Sequence, residues 1–349
     1  SVRALVLSGF SGTAAAPLVL HGRTGAWTID GIGGTFPADA TLTSWRTAVT
    51  VSGVTTTTWH LKVTAPDGTT ILYNGVAPGA SAIIRPATAS TLLQLDSKPS
   101  YYNLYRGCLT LRFYAASVNV VNTLGLDDYL RGVVPVEMPS SWPAEALKAQ
   151  AIVARSWTVA HLHPSTGTFD VYDDSRSQVY RGVRSENVGV SLLIASQPGA
   201  VALYGTTVIN AFYSSAAGGW TENNEDAFVP ANGVISSSPV AYLRGRDDRA
   251  PNGVAYDAGA PGYAWQTGLL THAQLNAILA ADSRTSVGTV LRLDLTHRGV
   301  SGRLYQVVIY GSTGTKTVSG DVFRAVFNAH RPAGIASMLS NLFSPTPLP

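Results

Sequence analysis

Cysteine occurs once in the 349 residues, at Cys108. A single cysteine forbids an internal disulfide and any cysteine-rich metal site. It lies in LYRGCLTLRFY, which reads as a strand, so a buried free thiol is expected. Charge is also sparse: 13% of residues are Asp, Glu, Lys or Arg, and the formal net charge is +3. That balance is too weak to imply a nucleic-acid partner, and there is no Lys/Arg cluster interleaved with aromatics. No run of about 20 apolar residues is present, which argues against a membrane span. The opening SVRALVLSGF carries no signal-peptide pattern and reads as the start of a mature or trimmed product.

What is there is a chain 45% hydrophobic, with 34 Gly and 19 Pro, long enough for two domains or one large one. Helical periodicity is missing from residues 1–98. Segments such as VRALVLSGF, PLVLHG, RTAVTVSG, TTWHLKVTAP and TTILYNG are short, β-branched and bounded by Gly, Pro and Asp67-Gly68. His21 and His60 are lone and separated, and read as ordinary surface or strand histidines. This region shows no chemistry and reads as a β-rich part of its own, either a binding module or the first sheet of the fold. Residues 99–343 form the expected second domain, and 344–349 a Pro-rich tail.

The stretch from Asn122 to Leu162 organises that second domain. It holds Glu137 in a Pro-bounded turn, with Val134, Val136, Met138, Pro139 and Trp142 as its expected apolar surround. A long helix follows from Ala144 to about His161, free of Gly and Pro and apolar nearly all round, so it is expected to be buried. Ser140 and Ser141 are expected to cap it, with Pro143 in its first turn. Lys148 and Arg155 are seven residues apart, hence on one side, about 10 Å from one another. Two cations on a buried helix need partners or a wet cleft. Either they form structural ion pairs or they line a cleft beside Glu137. Asp127 and Asp128 read as cap or salt-bridge partners. The fold class is therefore α+β, largely antiparallel sheet with a central buried helix after the Glu137 turn.

Further along, His161, His163, Asp170, Asp173 and Asp174 invite a metal reading. Gly218-Gly219, flanked by Ser214, Ser215 and Thr221, is either a polar tight turn or the lining of a cleft. Residues 223–264 read as a long loop, Thr271 and Ser319 as helix caps, and LRLDLTHR with RLYQVVIYG as a hairpin.

LDDYLRGVVPVEMPSSWPAEALKAQAIVARSW resembles the signature of the SpoIID/LytB family of bacterial cell-wall proteins. SQVYRG (177–182), AFYSSAAGGWTE (211–222), YLRGRDD (242–248) and Trp265 extend the likeness over roughly 102–327. The resemblance implies an exported, wall-associated protein acting as a lytic transglycosylase on peptidoglycan glycan strands, those free of stem peptides above all. It makes Glu137 the acid, which implies a pocket that raises its pKa. A lone acid suits this reaction, because a sugar hydroxyl replaces the water that most glycosidases activate with a second carboxylate. Lys148 and Arg155 are then expected to touch sugar oxygens or order the Glu137 loop, without bonding Glu137 itself. Gln178, Tyr180, Ser215, Gly218, Gly219 and Thr221 are expected as further substrate contacts. Many relatives carry two cysteines where Tyr172 and Ser177 stand here, and others a histidine in place of Tyr213. With both sulfurs gone, no zinc and no other cofactor is expected, and loop 164–178 must be held by packing and hydrogen bonds. The alternative is a non-catalytic wall-binding enhancer of a partner amidase.

Overall fold

A computed structural model describes residues 1–163 and 167–345. The chain forms two compact units, Ser1–Phe212 and Tyr213–Pro349. The first unit opens with β1 (Val2–Phe10), β2 (Leu18–Arg23), β3 (Trp27–Ile29), β4 (Ile32–Phe36), β5 (Thr41–Val51) and β6 (Val54–Thr64). It continues through β7 (Ile71–Val76), β8 (Ser81–Pro86), β9 (Leu92–Leu95), β10 (Leu104–Tyr105), β11 (Cys108–Phe113) and β12 (Val118–Leu124). Helices α1 (Leu126–Arg131), α2 (Val134–Glu137) and α3 (Ala144–Ala160) come next. The unit ends with β13 (Val171–Tyr172), a 3-10 turn (Gly182–Ser185), α4 (Val188–Ala195) and the small hairpin of β14 (Leu203–Tyr204) and β15 (Thr207–Val208).

Two sheets carry this unit. One runs in the order β13-β1-β12-β11-β8-β3-β4, the other β10-β9-β2-β5-β6-β7. Every pairing is antiparallel except that of β1 with β13. Alternation along the strands puts Leu18, Leu20, Leu42, Leu61, Ile84, Leu109 and Val120 into one core together with Leu130, Ala151 and Ala154 from the helices. The fold is α+β, as the residue pattern implies.

The expected boundary at 98/99 falls inside this unit. β1 is the ladder partner of β12, and β8 that of β11, so the opening strands are neighbours of the strands that lead into α1. The chain divides at 212/213 instead, because the residues beyond have their own core of Ile278, Val307, Ile309, Phe323 and Val326. That second unit contains α5 (Asn224–Ala227), α6 (His272–Ala280), the antiparallel sheet β16 (Val290–Asp294), β17 (Gln306–Gly311) and β18 (Gly314–Ser319), and α7 (Gly320–His330). Thr271 caps α6 in a capping box with Gln274, and Ser319 caps α7. Residues 346–349 of the expected tail lie outside the described residues, as do 164–166 of the loop after α3.

α3 begins differently from the expectation. Pro143 is its N-cap, and no side chain caps it, Ser140 and Ser141 included. One side of the helix is open at Ala144, Glu145 and Ala149, while Leu147, Gln150, Ala151, Ala154, Arg155 and Trp157 are buried.

Candidate functional site

Glu137 is the last residue of the single-turn helix α2, which carries Pro135 in its first turn. Val133 and Val134 are fully buried and anchor that turn. Glu137 is half-buried. Its Oε1 accepts a hydrogen bond from the Val179 N–H at 2.8 Å. Its Oε2 has no hydrogen-bond partner among the described residues. Of the expected apolar surround, Val134 is buried and Met138 packs on the core, whereas Val136 and Trp142 are exposed, Trp142 by 51%.

The Val179 donor is aimed by its neighbours. Burial alternates over residues 178–180: Gln178 and Tyr180 are both 1% exposed, and Val179 between them is half-buried. Gln178 Oε1 accepts from the Thr158 hydroxyl at 2.8 Å, and its Nε2 donates to Ala154 O at 3.2 Å. The Tyr129 hydroxyl lies 3.4 Å from Gln178 Oε1. Tyr180 donates through its hydroxyl to Asn122 Oδ1 at 2.8 Å, and Asn122 in turn donates to the carbonyls of Arg106 and Cys108. Burial pushes the Tyr180 hydroxyl well above its ordinary pKa, which keeps it a donor. At Gly132 a Cβ would meet the Tyr180 ring at 2.6 Å, so only glycine lets this segment close over the Glu137 turn. The Arg181 N–H completes the seam by donating to Gly132 O.

Gln178 and Tyr180, expected as substrate contacts, are therefore core anchors. Arg155 is corrected in the same way. Its side chain is fully buried and donates to Asp127 Oδ1 through Nε and Nη2, at 3.2 and 3.0 Å, and to Ala200 O through Nη1 at 2.9 Å. The pair ties α3 to the first turn of α1, the structural role expected of Asp127. Lys148 bonds Glu145 at 2.8 Å, an exposed pair within one helical turn. Neither cation bonds Glu137, but they do not form one wall: Lys148 is at the surface and Arg155 in the core.

The segment before the anchors is held without sulfur. Where the resemblance puts two cysteines, the Tyr172 N–H donates to Ser177 Oγ at 3.1 Å, and the Arg176 guanidinium stacks on the Tyr172 ring at 3.7 Å.

Ser215, Gly218, Gly219 and Thr221 belong to the second unit. Both glycines have positive φ, 71° and 85°. The Gly218 N–H donates to Asp257, the Thr221 hydroxyl accepts from the Arg246 N–H, and Arg303 donates to the carbonyls of Ala217 and Trp220. Glu222 accepts from the hydroxyl of Ser301. Burial lowers the pKa of Arg303, with Glu222 and Asp257 opposing. These bonds make the Gly-Gly segment a tightly fixed polar turn. Ser215 is exposed.

Sequence reasoning missed the Val179 N–H, Thr158 and Asn122. Asn122 had one signal, a polar residue inside an apolar strand; a main-chain donor has none.

Residues 114–208 match the family SpoIID, described as Stage II sporulation protein. The match ends before the Gly-Gly turn. An uncharacterized protein of Brachyspira hyodysenteriae is 36% identical over 143 residues, 40% of this chain and 37% of its own length. The Amidase enhancer of Bacillus subtilis is 40% identical over 119 residues, 34% of this chain and 15% of its own. Stage II sporulation protein D of Bacillus amyloliquefaciens is 28% identical over 176 residues, 46% of this chain and 51% of its own. The chain thus spans about half the length of these relatives or less. No helix among the described residues is long and apolar enough to cross a membrane.

Proposed function

This chain belongs, through residues 114–208, to the SpoIID/LytB family, and from that premise we propose that it is a lytic transglycosylase of peptidoglycan, exported to the cell wall. The bond cut is the β-1,4 link between MurNAc and GlcNAc in glycan strands free of stem peptides. Glu137 in its acid form gives its proton to the bridging oxygen as the C1–O bond breaks. The C6 hydroxyl of the same MurNAc then closes on C1, and the Glu137 carboxylate takes the hydroxyl proton. The products are a GlcNAc hydroxyl and a 1,6-anhydroMurNAc end. The acid is regenerated and no water is consumed.

One observation carries this reading. Glu137 has one oxygen fixed by the Val179 N–H and the other without a protein partner among the described residues, which is what a carboxyl that exchanges protons with a ligand requires. Ser215, Gly218, Gly219 and Thr221 keep a proposed part in binding the glycan; Lys148 is left as a surface candidate.

Glu137→Gln keeps the Val179 bond and removes the transferable proton. Turnover is expected to fall by roughly 10²–10⁴-fold, with the fold unchanged. Mass spectrometry of peptide-free glycan after digestion reads the outcome. Anhydro ends lost in the variant support the proposal; near wild-type turnover sinks it, and reducing ends mean hydrolysis. The second reading is an amidase enhancer, the name its relative in Bacillus subtilis carries. It predicts no cleavage by either form.

A further inference from the structure

β13 covers only the beginning of β1. Its two residues pair with Ala4 and Leu5, and the Asp170 N–H donates to Arg3 O at 2.8 Å. Past Tyr172 the chain turns away, with Asp173 paired to Lys98 and Asp174 to Arg176. On its other side β1 stays with β12 as far as Phe10. From Val6 onward the outward edge of β1 therefore has no strand beside it among the described residues. Such an edge presents main-chain N–H and C=O groups in a row. Bulges between Leu5 and Leu7 and between Leu7 and Phe10 keep it short.

This edge borders a cavity of about 300 Å³, the lower end of the usual range for ligand sites. Residues 5–8 line it together with Lys98, Pro99, Asp173, Asp174, Arg176 and Arg181. Two of the three cations are matched by the two carboxylates. Arg181 forms no such pair, although its charge reaches Asp174. Its guanidinium makes no hydrogen bond or ion pair among the described residues and lies over the Tyr102 ring, 5.1 Å from the centroid. Arginine offers five donors in a rigid fork suited to a planar anion.

We propose that this groove binds a short extended peptide ending in a free carboxylate, its backbone added as a strand to β1 from Val6 and its carboxylate held by Arg181. Strand addition recognises main chain, and pockets or charges beside the edge supply selectivity. A paired guanidinium–carboxylate fork adds directed, charge-assisted bonds. A glycan or polyphosphate satisfies the cation but has no alternating N–H and C=O groups to set against the edge, so the edge selects a polypeptide. The proposal does not rest on the chemistry at Glu137 and stands whether or not glycan is cleaved.

The test uses the full chain and fluorescein-labelled Val-Thr-Val-Ala in three forms: free acid, C-terminal amide, and free acid N-methylated at the threonine. Anisotropy titration is expected to show saturable binding of the free acid and at least tenfold weaker binding of the other two. Arg181→Ala should bring the free acid down to the amide's level and leave the amide unchanged. Amide exchange in Val6–Phe10 should slow on binding. Absence of saturable binding, equal affinity for all three peptides, or unchanged exchange in Val6–Phe10 each overturns the proposal. Complete displacement of the free acid by inorganic polyphosphate at equal charge concentration, with no penalty for N-methylation, reduces the groove to a bare anion patch. If Arg181→Ala fails to fold, the N-methylated peptide on the unaltered protein decides the matter.

Discussion

Arg155 and Lys148 sit on the same helix and meet opposite surroundings. Arg155 is fully buried and spends its donors on Asp127 and Ala200 O. Lys148 pairs with an exposed Glu145. Removing one partner of a buried pair costs about 3–5 kcal/mol; Asp127 keeps some access to water, which points to about 3 kcal/mol for Arg155→Ala. At roughly 2–4 °C per kcal/mol for a unit of this size, the melting midpoint should drop by about 6–12 °C. Lys148→Ala should shift it by little, since an exposed pair one turn apart contributes about 0.3–0.5 kcal/mol. Thermal melts followed by circular dichroism check both; equal shifts in the two variants contradict the assignment. The spacing of seven put these residues on one side of a helix correctly. Spacing says nothing about what packs against each turn, so it did not separate core cation from surface cation. The same limit applies to Gln178 and Tyr180, whose polar atoms look like ligand contacts until Thr158 and Asn122 are seen to satisfy them.

At the level of elements, the seam of β1 with β13 depends on one carboxyl. Asp170 is 2% exposed and paired with Arg3. Burial pushes its carboxyl up, but the Arg3 side chain and the N–H groups of His163 and Arg3 outweigh that, and its pKa lies below the ordinary carboxylate value. A depressed folded pKa means that the unfolded chain takes up the proton first as pH falls. The stabilisation is complete above the unfolded value of about 3.9 and is lost as pH drops through the folded one. Denaturant melts at pH 7 and pH 3 should show Asp170→Asn destabilised at pH 7 and its deficit shrinking at pH 3. A deficit constant across that range would remove Asp170 from the account. The helices and their later caps at Thr271 and Ser319 were legible because caps and periodicity are local. The partners of β1 were not, because they lie more than a hundred residues away and strand pairing leaves no mark in the strand itself.

For the whole molecule, the shared core decides what can be removed. A chain beginning at Pro99 loses β1 and β8, so β12 and β11 each have one flank stripped, and the buried leucines of β2, β5 and β6 vanish from the core. It is expected to be insoluble or unfolded. A chain beginning at Tyr213 keeps its sheet, α6, α7 and their common core, and is expected to melt cooperatively. Expression of both, followed by circular dichroism and size exclusion, tests the division at 212/213. A soluble, cooperatively melting 99–349 fragment would restore the boundary that the change in composition near residue 98 suggests. Three more strands follow residue 98 before α1 begins at Leu126, and strands and helices share one core here.

The bond from Val179 to Glu137 comes from main chain. Nineteen of the twenty amino acids supply the same donor, so a saturation library read by enzyme function should show opposite profiles at the two ends of one hydrogen bond. Position 137 should reject nearly everything. Position 179 should accept side chains of many kinds and fail at proline, which alone lacks the N–H. A contact on which the proposed chemistry rests would then be almost silent in the genetic record of this protein, visible only as a codon that never drifts to proline.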